Sequence, residues 1–207
     1  MRLGRDVLHE DSAGVTRAGL GLRKPLGWDA RGGKVIDVRL TPYRPDWADQ
    51  FADESARLRG VFGFSVIALE HFGSTAIPGM MAKPVIDMLA VVDLSQLGAG
   101  WIAELTQLGY EDAGEWGISG RRLFRKGGEE RSHHLHVYPA GHEAIRRHLV
   151  LRDFLLSHPH EVRAYSAFKQ DLASRYADTS DYSPAKKPYV QRLEQRALAW
   201  AERRERE

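Results

Sequence analysis

Three groups of residues in this 207-residue chain have types and spacings that suit chemistry. The first is Gly73-Ser74-Thr75, a small turn directly after the apolar run 64–72. Backbone N–H groups and a hydroxyl stand there with no bulky side chain in the way, which suits a phosphate as well as it suits an ordinary turn. The second is the pair Lys83 and Asp87, with Asp87 inside Pro84-Val85-Ile86-Asp87-Met88-Leu89-Ala90-Val91-Val92. Burying a carboxylate in such a run costs several kcal/mol unless a cation or donors compensate it, so Asp87 has either a structural ion-pair partner or a divalent metal. The third is Ser132-His133-His134-Leu135-His136-Val137-Tyr138. Alternation along a strand puts His134 and His136 on one face, about 7 Å apart. Imidazoles so placed can bind a metal, shuttle a proton, hold a phosphate, or simply face solvent.

Basic residues gather at Arg121-Arg122 with Arg125-Lys126, at Arg146-Arg147 with Arg152, at Lys169, and at Lys186-Lys187. Each group alone reads as surface charge, and together they can line an anion cleft above the Gly-Ser turn. The chain has no G-x-x-x-x-G-K-[ST] loop, no G-x-S-x-G elbow and no H-E-x-x-H zinc motif.

These groups need a scaffold, and the bulk composition supplies one. Hydrophobic residues make up 43% and charged residues 28%, as in an ordinary globular protein, and the length allows one well-cored domain. Thirty basic and 28 acidic residues leave a net charge of +2, so charge alone does not point to nucleic acid. The absence of cysteine excludes disulfides and thiolate chemistry. No apolar run approaches the roughly 18 residues of a membrane span, and the first residues do not read as a secretory signal. The expectation is a cytoplasmic protein with no membrane partner.

Residues 1–34 are Gly- and Arg-rich without periodicity and read as a flexible extension, 35–200 as one domain, and 201–207 as a charged tail. An edge strand is expected over 35–40, then a helix over 46–60 capped by Asp46, with Trp47, Phe51, Leu58 and Phe62 inward. Strands follow at 64–72 and 84–92, the second apolar enough to be buried on both faces. A helix is expected from Leu94-Ser95 to about Leu108, stopped by Gly109. Short strands at 110–113, 121–126 and 133–138 are separated by glycine-rich turns. Helices then cover 143–156 and start again at Pro159, a polar loop fills 177–188, and a last helix begins near Tyr189. The order implies an α+β (α/β) chain with a mixed sheet flanked by helices and a helical C-terminal third.

The string Glu70-His71-Phe72-Gly73-Ser74-Thr75-Ala76-Ile77-Pro78-Gly79, followed by Ala82-Lys83-Pro84-Val85-Ile86-Asp87, resembles the signature of the GrpB family of bacterial proteins. The resemblance extends to residues 43–47, to His134-Leu135-His136-Val137 and to residues 148–159, covering roughly 36–195. It implies a nucleotidyltransferase-like fold of the polymerase-β superfamily, in a domain also found fused to dephospho-CoA kinases. In that superfamily a Gly-Ser turn holds a nucleoside triphosphate, and two carboxylates spaced Asp-x-Asp/Glu hold magnesium. This chain departs from the pattern at position 89, which is Leu.

On this resemblance the expected activity is a metal-dependent transferase acting on a nucleoside triphosphate such as ATP and a small-molecule acceptor. Gly73, Ser74 and Thr75 would cradle phosphates, while Lys83, Arg122 and Arg125 neutralise them. Asp87, His134 and His136 would carry catalysis, with Asp87, Glu70 and His136 as ligands of magnesium or manganese. The alternative is a non-catalytic nucleotide-binding or interaction domain, linked to dephospho-CoA kinase. Nucleic acid is not an expected partner.

Overall fold

The structure is a computed structural model and describes residues 38–207. The expected extension over 1–34 lies outside the described residues, as does the first half of the expected edge strand. Val38, Arg39 and Leu40 are not in a strand, and pairing in this region is confined to one bridge from Thr41 to Ala82.

Helix α1 runs Asp46–Phe62. Its N-cap is Pro45, and Asp46 is already helical, with its carboxylate taken by Arg44 and Gln50. Strand β1 is Val66–Phe72 and β2 is Ile86–Val92. Helix α2 is shorter than expected, Trp101–Gln107, because residues 94–100 include Gly98 and Gly100, and Gly100 caps the helix at φ 105°. Strands β3, β4 and β5 are Tyr110–Asp112, Arg122–Lys126 and His133–Pro139. Helices α3 and α4 are Glu143–Ser157 and Pro159–Arg175.

The expected polar loop 177–188 is instead the beginning of α5, Thr179–Arg204, which passes through Pro184 and Pro188. Asp178 caps it by accepting from the Ser180 N–H at 2.9 Å, and Tyr182 anchors the first turn at 1% exposure. Both prolines are exposed, on the solvent side of the helix. No helix among the described residues is long and apolar enough to cross a membrane.

The strands form one mixed sheet in the order β1-β2-β5-β4-β3, parallel only between β2 and β5. One face carries Ile86, Met88, Ala90, Val92, Leu135 and Val137 against α1 and α2. The other carries Phe72, Leu89, Val91 and Tyr138 beneath Ala144 and Ile145 of α3. A third cluster joins Ile77 and Met80, just after the Gly-Ser turn, to α3, α4 and α5. The turn is thus clamped between the sheet and the C-terminal helices, where α3 no longer covers the sheet.

Candidate functional site

The register across the sheet builds the site. Phe72 pairs with Asp87, Asp87 with His134 and His134 with Arg125, so these side chains form one row on the α3 face. The next row is Glu70, Leu89, His136 and Leu123. His134 Nδ1 lies 3.1 Å from Asp87 Oδ1. Asp87, His134 and His136 can each place one ligand atom within 4.8 Å of the others. Glu70 stays outside this trio because its carboxylate receives Arg152 Nη1 at 2.7 Å, and that arginine also donates to the His71 carbonyl. Leu89 is fully buried and packs with Phe72, Val91 and Tyr138, so the position that would carry a second carboxylate is part of the apolar core.

Gly73 closes over the carboxylate. It has φ 71° and ψ −166°, a combination essentially reserved for glycine, and a Cβ there would stand 2.5 Å from Asp87 Oδ2. The next residues, Ser74–Ala76, make a single 3-10 turn. Ser74 is half-buried at the cleft and its Oγ accepts from Lys169 Nζ at 2.9 Å. Thr75 is turned inward, accepting from His71 Nε2 and donating to the Val85 carbonyl. The Thr75 hydroxyl therefore braces the turn, and its side chain does not face a ligand.

Lysines crowd Asp87. Lys169, on α4, is 2% exposed and donates to Ser74 Oγ and the Met81 carbonyl, with its amine 4.5 Å from the Tyr165 ring centre. Burial, reinforced by Lys186 and opposed by Asp87, lowers its pKa to about 6. Burial and Lys186 likewise pull Lys83 down to about 8 against the attraction of Asp87. Burial would push Asp87 up, but the His134 hydrogen bond, with the two neighbouring histidines and Lys186, brings it down to about 2. His134 is lowered by burial despite Asp87, so the pair is an ionised carboxylate receiving Nδ1–H from a neutral ring.

Each histidine also meets an arginine. Arg131, 9% exposed, donates from Nη1 to His134 Nε2 at 3.4 Å, and Arg121, 7% exposed, donates from Nη1 to His136 Nδ1 at 3.2 Å. The network assigns the tautomers: His134 carries its proton on Nδ1 and His136 on Nε2. Metal-bound histidines normally donate through the second nitrogen to an acceptor, whereas here it accepts from a cation. A three-ligand site on Asp87, His134 and His136 would require both arginines to let go.

Of the remaining expected residues, Lys83 and Arg125 face the site, and Arg122 does not. Arg122 pairs with Val137 on the opposite face, where it holds Asp112 and lies over Trp101. Lys169, expected among the basic groups that together can line an anion cleft above the Gly-Ser turn, stands at that turn, and its position carries a further signal: 165, 169 and 172 form one inward stripe of α4, so a lysine stands where packing wants an apolar residue. Arg131 follows a Gly127-Gly128-Glu129-Glu130 turn and offers no such pattern.

The chain is similar to known proteins of one family. The family model described as GrpB protein matches residues 37–196. The UPF0157 protein YqkA of Bacillus subtilis is 41% identical over 79% of this chain, which spans about half (48%) of that protein's length. A UPF0157 protein of Pseudomonas aeruginosa is 36% identical over 78% of this chain and 68% of its own. The crystal structure of conserved protein GrpB from Enterococcus faecalis superimposes with a TM-score of 0.74 at 35% identity, covering 79% of this chain and 99% of that one. A dephospho-CoA kinase of Mycolicibacterium paratuberculosis is 26% identical over 80% of this chain and 47% of its own.

Proposed function

The chain belongs to the GrpB family, and from its cleft we propose a nucleotidyltransferase-like transferase that takes a nucleoside triphosphate with one divalent cation and acts on a small-molecule acceptor. One observation carries the reading: Lys83, Lys169 and Lys186 converge with the Gly73-Ser74 turn on a single ionised carboxylate, Asp87. Several lysines around one acid suit a polyphosphate. Magnesium is commonly held by one or two carboxylates together with the substrate's own phosphates, and Asp87 fits that requirement. A two-ion site does not fit, because Leu89 occupies the position of the second acid. The ion would neutralise phosphate charge. Ser74 and Lys169 would bind the phosphates, and His134 and His136 would fix Asp87 and the walls of the cleft. Manganese suits the mixed oxygen and nitrogen surroundings as well as magnesium does.

The test is release of pyrophosphate or of a nucleoside diphosphate from ATP and magnesium in the presence of a metabolite extract. The reading expects release that stops in Asp87→Asn. A second reading, a nucleotide-binding interaction domain without turnover, draws support from Leu89 and from the similarity to dephospho-CoA kinases. It expects ATP to raise the melting temperature with no product formed.

A further inference from the structure

Between β3 and β4 a glycine-rich loop presents Trp116 beside the cleft. Trp116 is the single non-glycine residue with positive φ among the described residues, at 46°. Bulky side chains rarely adopt that conformation, and it persists where surrounding contacts impose it. Arg121 imposes it here. Its Nη2 donates to the Trp116 carbonyl at 2.9 Å and the Glu115 carbonyl at 3.0 Å, and its Nε donates to the latter at 3.2 Å. Its Nη1 reaches His136 in the cleft. The Glu115 carboxylate tightens the loop by accepting the Gly120 N–H at 2.6 Å. One guanidinium therefore fixes both the cleft wall and the backbone under the indole.

The indole is half-buried, outside the three apolar clusters, and packs against the Arg125 guanidinium at 4.5 Å. Arg125 shares the row of His134 and Asp87, two strand spacings or about 10 Å from Asp87. Its Nε is buried without a hydrogen-bond partner. An extended nucleotide with its phosphates at Ser74 and Lys169 covers such a distance. We propose that Trp116, backed by Arg125, is the stacking platform for the nucleobase of the ligand. The proposal rests on the nucleotide reading of the cleft and adds that the planar base is a recognised part of the ligand. Stacking tolerates any base, so the platform favours nucleotides over bare polyphosphates without selecting among bases.

The experiment is calorimetric titration of the full chain with ATP and with inorganic tripolyphosphate, both with magnesium, in wild type, Trp116→Ala and Trp116→Phe. The expected result is a loss of about ten-fold in ATP affinity for Trp116→Ala, the size of one base–aromatic stack. Tripolyphosphate affinity should stay within about two-fold, and Trp116→Phe should retain most of the ATP affinity. In wild type, ATP should quench tryptophan fluorescence where tripolyphosphate does not, with the difference lost in Trp116→Phe; this readout holds even if the alanine variant folds poorly. Equal wild-type affinity for the two ligands, or an ATP affinity untouched by Trp116→Ala, overturns the platform alone. Failure of wild type to bind either ligand overturns the nucleotide reading beneath it.

Discussion

Each face of the sheet has an acid packed against it, and the two are treated in opposite ways. On the α1 face, Glu54 is 1% exposed, with one oxygen receiving Lys126 Nζ at 2.7 Å and the other Arg57 Nη1 at 2.9 Å. Both oxygens are matched and the group pins α1 to β4. On the α3 face, Asp87 keeps 29% side-chain exposure, has one neutral histidine as its direct partner, and is the acid that acts on both Lys83 and Lys169 among the described residues. A matched acid serves the fold. An acid outnumbered by cations leaves a site short of negative charge, which a polyphosphate supplies.

This contrast breaks first at Glu54. Glu54→Ala strands Lys126, which is 21% exposed and can partly reach water, so the loss should fall near the low end for a broken buried pair, about 3 kcal/mol in urea denaturation. ATP affinity should not change; a large change would mean the two faces are not separate in role.

Gly73→Ala should cost about 1–3 kcal/mol for the backbone conformation and should also displace Asp87, whose oxygen occupies the space of the new Cβ. Unlike the Glu54 change, it should weaken ATP binding. Unaltered affinity would show that the closeness of Gly73 to Asp87 has no functional consequence.

Lys169→Met sharpens the comparison on the cation side. Loss of the amine, which takes up a proton as it meets the phosphates, should cost about 2 kcal/mol, corresponding to roughly 30-fold weaker ATP binding by calorimetry. The amine also has a pH signature. Its folded pKa of about 6 lies below the unfolded value near 10.5, so between those limits the unfolded chain binds more protons. The stability of wild type relative to Lys169→Met should therefore rise from pH 6 to pH 10, and thermal melts showing a flat difference would refute the buried neutral amine.

Much of this was legible in the sequence because strands carry their own signature. The runs behind β1, β2, β4 and β5 were bounded by glycine and proline, and the alternation in residues 133–138 placed both histidines on one face. The turn and Asp87 were visible for the same reason. What escaped depended on tertiary packing. The start of α5 hid behind Pro184 and Pro188 because burial of Tyr182 and capping by Asp178 outweigh local propensity. Glu70, expected as a metal ligand, is held instead by Arg152, 82 residues away. Glu54 was findable in principle, as a charge on the inward stripe of a helix.

The central claim is that Asp87 meets the ligand through a cation borne by its phosphates. It is tested by titrating wild type and Asp87→Asn with ATP, each in magnesium and in chelator. Wild type should bind about ten-fold more tightly with magnesium, a difference of about 1.4 kcal/mol. In Asp87→Asn the two titrations should coincide, because the lysines alone then hold the phosphates. An Asp87→Asn protein that keeps the magnesium gain, or a wild type that shows none, would contradict the account.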